Sequence, residues 1–406
     1  MSSTTPKIAI IGAGPTSLTL SSLLSTSSIP YTTYEATPSP RHSGGSLDIH
    51  TATGQAALKA AGLLPEFRKR ARPESDCDKI VVLGTGEVVW DENGDESVKA
   101  AEEGVKVGED GTIEGRPEID RRDLMEILRS GVEDERIVFG KKLLKMEEGS
   151  GGEKYDLHFA DGSVERGFDV VIGGDGAWSR VRPLLSDVKP RYSGISAAEL
   201  WVDDVETKEK EWLREYVGVG SCFAFGEGRA VISQRQSEGG LRTYAAIRVP
   251  EDFIETCGID WNDKETARHQ LVDKYFSDIG EDLKRVLYAS GDELIPRALF
   301  ELPVDFKWEH RKGVTLLGDA AHLMTPFAGI GVNVGMTDAL VLWQELVKAS
   351  RGEKSYDEAL RSYEEELFPR ARKAMEKTAR GKKNHFSEHG SKERADMMKQ
   401  LKGQSN

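Results

Sequence analysis

The sequence is poor in the features that mark several large classes of protein. It holds three cysteines in 406 residues, Cys77, Cys222 and Cys257, and their wide spacing fits neither a disulfide framework nor a zinc site. It contains no run of about 18 apolar residues that could span a bilayer, and no apolar signal segment precedes the first predicted strand. We therefore expect a cytoplasmic protein of a reducing compartment, with no metal site and no membrane span.

Positive charge is also scarce. Lysine and arginine together number 55 against 69 aspartates and glutamates, which gives a formal net charge of −14. Because most of such a surface would repel a phosphate backbone, we expect no nucleic-acid partner. The content of 31% charged and 38% hydrophobic residues is typical of a globular protein, and the length favours two intertwined domains.

A strand, a glycine-rich turn and a helix open the chain. The apolar run Lys7–Ile11 predicts a buried parallel strand, and the letters GAGPTS and a leucine-rich helix follow it directly. In this dinucleotide-binding arrangement Gly12 permits the tight turn and Gly14 lets the backbone approach a pyrophosphate. A second predicted strand, Tyr31–Tyr34, ends at Glu35, an acid placed to accept hydrogen bonds from a ribose. These residues predict a bound dinucleotide without choosing between a flavin and a nicotinamide.

A second unit of strand, turn and helix lies near residue 320. The run Val314–Leu317 predicts a buried strand, and from Pro326 onward a proline and glycines break up the backbone before an apolar helix. The carboxylate of Asp319 can accept hydrogen bonds from hydroxyls, and the helix start around Gly331 and Asn333 can present N–H groups to an anion. The alternative is an ordinary connection in which the aspartate only caps a helix.

Two further charged residues stand out by their positions. Asp175 follows a third predicted strand, Phe168–Ile172, within the letters GGDG, where a helix cap is again the alternative to ligand binding. Arg121 precedes a predicted helix, Asp123–Leu128, and its positive charge opposes the dipole at that helix end. This unfavourable placement favours a ligand-binding role for the arginine.

The middle of the chain has a different pattern. Its predicted strands alternate polar and apolar residues and are joined by glycine-containing turns, which is typical of an antiparallel sheet. These strands are Ala197–Val202, Cys222–Gly226, Arg229–Gln234 and Arg242–Val249, with a further pair at Lys79–Leu83 and Val88–Trp90. We interpret this region as a substrate domain, with one helix over Ala267–Leu287 and a return to the first domain at Pro296–Phe300. Its aromatic residues are core residues by default, and Trp201, Phe223 and Phe225 are our candidates for a pocket, together with Pro326 from the cofactor turn.

The C-terminal part predicts a long helix over Ser355–Lys383 with apolar residues every four positions. Pro369 should kink or break this helix, because proline lacks the N–H group that the helix needs. The basic segment after it, residues 386–406, predicts a flexible end.

Five separated motifs together resemble the flavin monooxygenases related to para-hydroxybenzoate hydroxylase, which form class A. They are Gly12–Ser17, Gly44–His50 (GGSLDIH), Pro117–Arg121 (PEIDR), Gly173–Gly176 and Gly318-Asp319. The resemblance is strongest to the branch that contains the tetracycline-inactivating monooxygenase. It is weak in the middle domain and the C-terminal segment.

The resemblance implies roles for individual residues. Gly12 and Gly14 would face the pyrophosphate of FAD, Glu35 its adenosine ribose, and Asp319 its ribitol or pyrophosphate, with the turn to Gly331 and Asn333 under the pyrimidine ring. Arg121 and Asp48 match positions that contact FAD in the relative, Arg41 matches one that holds NADPH, and Asp175 would serve both. For Asp48 and Arg41 a surface ion pair of small energetic consequence is the alternative.

The same resemblance implies an α/β fold with discontinuous domains. Residues 1–78, 105–185 and 296–345 would form a Rossmann-like FAD-binding domain, into which an antiparallel substrate-binding sheet of residues 79–104 and 186–295 is inserted. A long C-terminal helix over 351–385 and a flexible tail over 386–406 would follow.

The implied activity is that of a monomeric FAD-dependent monooxygenase. NADPH would reduce FAD, O2 would give a flavin C4a-hydroperoxide, and one oxygen atom would enter an aromatic or polycyclic small-molecule substrate, with hydroxylation as the expected reaction. No side chain is identified as catalytic. A flavin-dependent dehydrogenase or reductase of the same fold is the alternative; a halogenase is disfavoured because no paired-tryptophan motif occurs, and a non-enzymatic FAD-binding scaffold is the third reading.

Overall fold

The structure is a computed structural model that describes residues 6–40, 44–94, 107–149 and 154–404. In these ranges the strands are β1 (Ile8–Ile11), β2 (Thr32–Tyr34), β3 (Ser46–Asp48), β4 (Asp78–Val82), β5 (Val88–Asp91), β6 (Glu118–Asp120), β7 (Ile137–Val138), β8 (Leu143–Glu148), β9 (Tyr155–Phe159), β10 (Val164–Phe168), β11 (Val170–Gly173), β12 (Arg191–Val202), β13 (Ser221–Gly226), β14 (Arg229–Arg235), β15 (Leu241–Arg248), β16 (Glu293–Glu301) and β17 (Val314–Leu316). The α-helices are α1 (Pro15–Thr26), α2 (Ala56–Ala60), α3 (Leu64–Arg70), α4 (Arg121–Ser130), α5 (Glu211–Val217), α6 (Phe253–Thr256), α7 (Lys264–Tyr275), α8 (Glu281–Ala289), α9 (Asp319–His322), α10 (Gly331–Ser350), α11 (Tyr356–His385) and α12 (Gly390–Gln404).

A parallel sheet in the order β17-β11-β1-β2-β7 forms the first domain. Its central strands are apolar throughout, and all four residues of β1 are buried, because helices and other elements cover both faces of such a sheet. The registers Ile11↔Gly173 and Gly173↔Leu316 bring the ends of β1, β11 and β17 to one edge. The Rossmann-like fold predicted from the sequence is confirmed, and the turns after these three strands share that edge.

A second sheet, in the order β16-β12-β15-β14-β13-β4-β5, is antiparallel except for the parallel pair of β13 and β4. Side chains of alternate residues point to opposite faces of a strand. One face packs Ala198, Leu200 and Ala245 against the helices α5, α7 and α8. The other face, here called the inner face, packs Ala197 and Phe225 against residues of the first domain and the C-terminal part, which include Phe327 and Phe386. Strands β4 and β5, from the segment 79–104 that the sequence assigns to the second domain, belong to this sheet; residues 95–106 lie outside the described ranges.

The prediction of one helix over Ala267–Leu287 was wrong. The structure divides it into α7 and α8, because the backbone at Gly280 turns away to donate a hydrogen bond to the Leu83 carbonyl at 2.9 Å. A Cβ atom at this glycine would lie 2.6 Å from the Gly86 nitrogen, so the close contact between the two backbones excludes a side chain.

The return of the chain to the first domain also occurs later than predicted. Pro296–Phe300 lies within β16, which pairs with β12 up to the Glu301↔Arg191 pair. The boundary expected at residue 296 therefore falls after Glu301.

Helix α11 runs without interruption through Pro369, so the predicted break does not occur. Proline leaves the carbonyl four residues earlier, that of Glu365, without its helical donor. Both residues are exposed, and water can satisfy that carbonyl on the solvent side of the helix. The helix begins with a capping box, in which Ser355 and Glu358 each bond the other's main-chain nitrogen.

The segment predicted as a flexible tail forms helix α12, which packs against the second sheet. Ser391 Oγ donates to the Val81 carbonyl at 2.6 Å and accepts from the Phe225 nitrogen at 2.8 Å. Arg394 Nη2 donates to Asp78 Oδ2 at 2.9 Å. Polar bonds from Ser391 and Arg394 help to attach this helix, and a search for apolar periodicity does not detect such bonds.

No helix in the described part of the chain is long and apolar enough to cross a bilayer. A ribbon of β3 and β6 and a small sheet of β8, β9 and β10 complete the strand pairing.

Candidate functional site

The turns after β1 and β11 are in direct contact at the edge of the parallel sheet. Gly12 has a φ of +96°, and a Cβ atom on it would lie 2.5 Å from the Gly174 carbonyl oxygen and 3.0 Å from the Asp175 Cα. Both the backbone conformation and the lack of space require glycine here. The turn at Gly12 and the turn at Gly174 therefore form one surface.

Glu35 holds the first turn from the side of β2. Its Oε2 accepts from the Ala13 nitrogen at 2.8 Å, and its Oε1 accepts from Thr37 N and Oγ1, both at 2.9 Å. The carboxylate lies half-buried beside the glycine turn. Its position agrees with the predicted ribose contact, and its bonds to the protein fix its orientation.

Asp175 combines a structural bond with an unused acceptor. Its Oδ2 accepts from the Arg180 nitrogen at 2.6 Å, which is the capping role considered above. Its Oδ1 has no hydrogen-bond partner among the described residues. Burial raises the pKa of this carboxyl, and the hydrogen bonds from Ser179 and Arg180 counter that only in part. A buried acceptor that the protein leaves unpaired is suited to a hydroxyl or N–H donor of a ligand.

Asp319 is exposed at the start of α9, on a turn that buried groups hold in place. Gly318 has a φ of +59° and packs against Thr16 of α1, whose Oγ1 would lie 2.9 Å from a Cβ atom at position 318. The Gly318 nitrogen donates to Asp338 Oδ2 at 3.1 Å. The side chain that the sequence predicts to bind the cofactor thus projects from a rigid base.

Asp338 is the centre of that base. Its Oδ2 also lies 2.6 Å from His322 Nε2, and its Oδ1 accepts from Arg370 Nη2 of the long helix α11 at 3.0 Å. Burial alone would lower the pKa of His322, but the adjacent carboxylate raises it above its ordinary value. Burial alone would raise the pKa of Asp338, and the two cations hold it below its ordinary value. His322 was not predicted to be catalytic, and its complete burial agrees with a structural role.

The starts of helices α1 and α10 both face open space. A Cβ atom at Gly14 or at Gly331 would meet no atom within 4 Å. In α10 the first intrahelical bond runs from the Val334 nitrogen to the Ile330 carbonyl at 3.0 Å. The amides before it therefore have no acceptor within the helix and carry the positive end of its dipole. These two helix starts are suited to a pyrophosphate and to developing negative charge.

Asn333 does not present its side chain to a ligand. Its Nδ2 donates to the Asp48 carbonyl at 2.7 Å, and its Oδ1 accepts from His50 N at 2.9 Å and Thr53 Oγ1 at 3.0 Å. The amide group therefore ties α10 to the segment after β3. The side chain therefore holds the start of α10 in place, and the main-chain amide stays available to a cofactor, which is the role expected for this helix start.

Asp48 is the last residue of β3, and Arg121 follows directly after β6 of the same ribbon. The Asp48 carboxylate lies 3.1 Å from His50 Nε2, and its Oδ1 would be 3.6 Å from a Cβ atom at Gly329 of the cofactor turn. Arg121 packs its aliphatic part against Gly44, and its guanidinium has no hydrogen bond or ion pair within the described ranges. Arg41 lies outside the described residues.

The predicted pocket residues divide into three groups. Trp201 and Phe223 lie half-buried on the inner face of the second sheet. Phe225 is 2% exposed and stacks on His385 at 4.1 Å between ring centroids, so it is a core residue of that face and its assignment to a pocket was wrong. Pro326 is exposed on the cofactor turn.

Several polar residues of the inner face escaped the sequence interpretation. Glu199 is buried and forms ion pairs with both Arg242 and Arg297. Outside this face, Glu118 of β6 is buried and accepts from Ser46 Oγ at 2.5 Å, and burial raises the pKa of its carboxyl to about 7. One sequence signal of the Glu199 cluster was available, because an acid and an arginine occupy inward-facing positions on neighbouring strands.

The residues at the sheet edge fit FAD. They provide two open helix starts, the carboxylates of Glu35, Asp175 and Asp319 for hydroxyl groups, and an unpaired buried oxygen on Asp175. The inner face of the second sheet lies opposite, and Phe327 of the cofactor turn packs into its core.

Comparisons with known proteins agree with this arrangement. Residues 288–378 match the family described as FAD binding domain. Monooxygenase penA of Penicillium thymicola is 33% identical over 439 aligned residues, which cover 95% of this chain and 97% of the relative. HpxO of Klebsiella pneumoniae, solved with FAD and uric acid, superposes with a TM-score of 0.73 at 21% identity, over 99% of this chain and 93% of that one. The tetracycline destructase Tet(51) superposes with a TM-score of 0.68 at 19% identity, over 98% and 96%.

Fold and site together define a flavin-dependent oxidoreductase. The chain belongs to the FAD-dependent monooxygenases, as the extent and identity of the match to penA show. The resemblance inferred from five sequence motifs is confirmed, and the superpositions confirm the fold.

Proposed function

We propose that this enzyme uses NADPH and O2 to insert one oxygen atom into an aromatic or polycyclic natural product, and that the reaction is a hydroxylation. The observation that carries the proposal is the placement of the FAD-binding edge opposite a sheet face that mixes aromatic and polar side chains. Bound FAD supplies the redox and oxygen-activating chemistry that the family resemblance implies. The side chains of this chain bind, orient and exclude water.

The residues at the edge divide this work. Gly12 and Gly14 let the backbone approach the pyrophosphate, and Glu35 accepts from the adenosine ribose. Asp319 accepts from the ribitol. The free amides at the start of α10 stabilise negative charge on the pyrimidine ring, a type of preorganised contact worth about 3–4 kcal/mol in enzyme sites.

The remaining predicted residues have supporting roles. Asp48 and Arg121 contact FAD from the β3–β6 ribbon, and a guanidinium on Arg121 without a partner among the described residues supports a ligand contact. Asp175 serves both FAD and NADPH, and Arg41 contributes to holding NADPH.

The test is a substrate screen with the purified, FAD-loaded enzyme. NADPH oxidation and O2 consumption should rise together with a substrate, and mass spectrometry should find a product heavier by one oxygen atom. Substrate-dependent NADPH oxidation with a product that has lost hydrogen and gained no oxygen would replace the proposal with the dehydrogenase alternative. A protein that binds FAD but never oxidises NADPH would indicate a scaffold.

A further inference from the structure

Arg242 lies in the middle of the second sheet with donors that the protein does not use. The residue is 5% exposed and is paired across the β12–β15 ladder with Trp201. Its Nη2 donates to Glu199 Oε2, while its Nε and Nη1 have no hydrogen-bond partner in the described part of the chain. The indole Nε1 of Trp201 is also buried and unpaired there. Buried donors are nearly always paired in folded proteins, so three unused donors in one cluster indicate a ligand.

The cluster faces the cofactor side of the molecule. Residues 242, 244 and 246 of β15 alternate with Leu241 and Ala245, which pack against the helices on the opposite face. A Cβ atom at Gly45 of the first domain would lie 2.8 Å from the Tyr244 hydroxyl and 3.2 Å from the Arg242 Cδ. Glycine at this position therefore makes room for both side chains at the junction of the two domains. Tyr244 and Trp201 are half-buried, so both members of the cluster keep some exposed surface.

The ion pairs within the cluster leave one positive charge in excess. Both carboxylate oxygens of Glu199 are engaged, because Oε2 accepts from Arg242 and Oε1 forms an ion pair with Arg297 Nε at 2.8 Å. Two guanidinium groups thus share one carboxylate. The guanidinium of Arg242 also lies 4.5 Å from the Trp201 ring centroid and 5.3 Å from that of Tyr244, which holds its plane beside two aromatic rings. A purely structural ion pair would need neither the second cation nor the unused N–H groups of Arg242.

We propose that Arg242 and Trp201 bind an acceptor oxygen, a carbonyl or carboxylate oxygen, on the planar ring system of the substrate. An unused N–H of the Arg242 guanidinium can donate a charge-assisted hydrogen bond to such an oxygen, and the indole N–H of Trp201 supplies a second donor. The adjacent rings of Trp201 and Tyr244 provide flat apolar surface for the ring that carries this oxygen. This inference rests on the proposed function and narrows its substrate class.

The test compares matched small probes by calorimetric or NMR titration of the oxidised, FAD-loaded enzyme, without turnover. The probes are 1-indanone, 1-indanecarboxylate and indane, which share a ring system and differ in the acceptor oxygen. We expect the wild type to bind at least one oxygenated probe about 10-fold or more tightly than indane, since hydrogen bonds to charged groups have effects of that order. Arg242→Met should abolish this preference and leave the affinity for indane unchanged. The probe with the stronger preference then tells a carbonyl from a carboxylate.

Two further variants keep the outcome decisive. Arg242→Lys retains the charge beside Glu199 and loses the guanidinium N–H groups, so it should fold like the wild type and bind the preferred probe more weakly. Arg285→Met removes an arginine that lies 4.0 Å over the Trp212 ring, a residue packed on the helix side of the sheet, and should leave the preference intact. An equal affinity of the wild type for all three probes would overturn the inference. An unchanged preference in Arg242→Met would overturn it too, whether or not that variant also lost FAD. Because no NADPH or O2 is present, failure here is distinct from failure of the proposed monooxygenase activity.

Discussion

The edge of the parallel sheet and the inner face of the second sheet meet at one site, but they are built differently. The edge is made mainly of backbone, in the form of glycine turns and helix starts. A few short carboxylate side chains on a rigid base complete it. The inner face is made of side chains, several of them charged and buried, on strands whose backbone is fully paired. The edge therefore presents groups that suit a fixed cofactor, while the inner face can change its ligand by changing side chains.

This contrast has a consequence for mutations. Substitutions at the edge should act through FAD retention, because the backbone shape itself forms the binding surface. Substitutions on the inner face should act either through stability or through substrate binding, depending on whether the side chain is packed or half-buried. The following variants test that division.

Phe225 and Phe223 test it within the inner face. Replacing the fully packed ring in Phe225→Ala should lower the free energy of unfolding by about 3–5 kcal/mol, because it leaves a cavity in the core. Phe223→Ala removes a half-buried ring that lies under Arg394 and should cost clearly less, while weakening substrate binding. Chemical denaturation of the two FAD-loaded variants measures the difference. Equal losses of stability would contradict the separation into core and pocket.

Asp338→Asn tests the rigid base of the edge. Removing this buried charge leaves His322 and Arg370 without their carboxylate, and breaking a buried pair costs about 3 kcal/mol or more. Denaturation should detect that loss together with weaker FAD retention. Asp357→Asn is the control, because its side chain also bonds a histidine, His310, but is 32% exposed. A similar small effect in both variants would show that the edge does not depend on this base.

The same pair predicts a pH dependence of stability. The pKa of His322 is raised in the folded protein, so its contribution is complete below its unfolded pKa of about 6.5 and is lost as the pH rises through the folded value. The pKa of Asp338 is lowered, so its contribution is present above about pH 3.9 and is lost as the pH falls through the folded value. Melting temperatures measured across pH should decline on both sides, and Asp338→Asn should flatten both declines. An unchanged profile in the variant would assign the pH dependence to other groups.

Gly12→Ala tests the backbone contact between the two turns. The added methyl group meets the Gly174 carbonyl, and the positive φ adds strain of about 1–3 kcal/mol. We expect a protein that folds but loses most of its FAD, as visible absorbance after desalting would report. Gly140→Ala is the matched control, because this glycine has a φ of +74° with no atom within 4 Å of the added carbon. If both variants retained FAD equally, the contact would not shape the cofactor site.

Asp319→Ala should have the smallest effect on stability. The side chain is exposed, so the free energy of unfolding should change by no more than about 0.5 kcal/mol. The loss of a hydrogen bond to the ribitol should weaken FAD binding by about 10-fold, measurable by titration of the apoprotein. Asp305→Ala, another exposed aspartate of the same domain, should leave the affinity unchanged. An Asp319→Ala variant with wild-type affinity would remove this residue from the site.

The cofactor edge was predictable from the sequence because its signals are local. Gly12, Glu35 and Asp319 each follow an apolar strand within a few residues, and parallel strands bring their ends to one edge. The inner face was not predictable to the same extent. Whether Phe225 packs or lines a pocket depends on His385 and on helix α12, which lie far along the chain. Helix α12 was missed because its attachment uses Ser391 and Arg394 instead of an apolar stripe.

Two features of the fold were absent from the sequence interpretation because they arise from contacts between distant segments. The break at Gly280 arises from its contact with Gly86, and the role of Asn333 arises from its bonds to residues 48–53. No pattern within a short window contains such information.

The central claim is that the edge of the parallel sheet holds FAD for oxygen transfer to a substrate on the inner face. The most direct test is single-turnover mass spectrometry under 18O2, with FAD-loaded enzyme, NADPH and a substrate found by the screen. We expect a product that carries one 18O atom, with an equal amount of NADPH consumed. A product without 18O, formed at the same rate in the absence of O2, would contradict it.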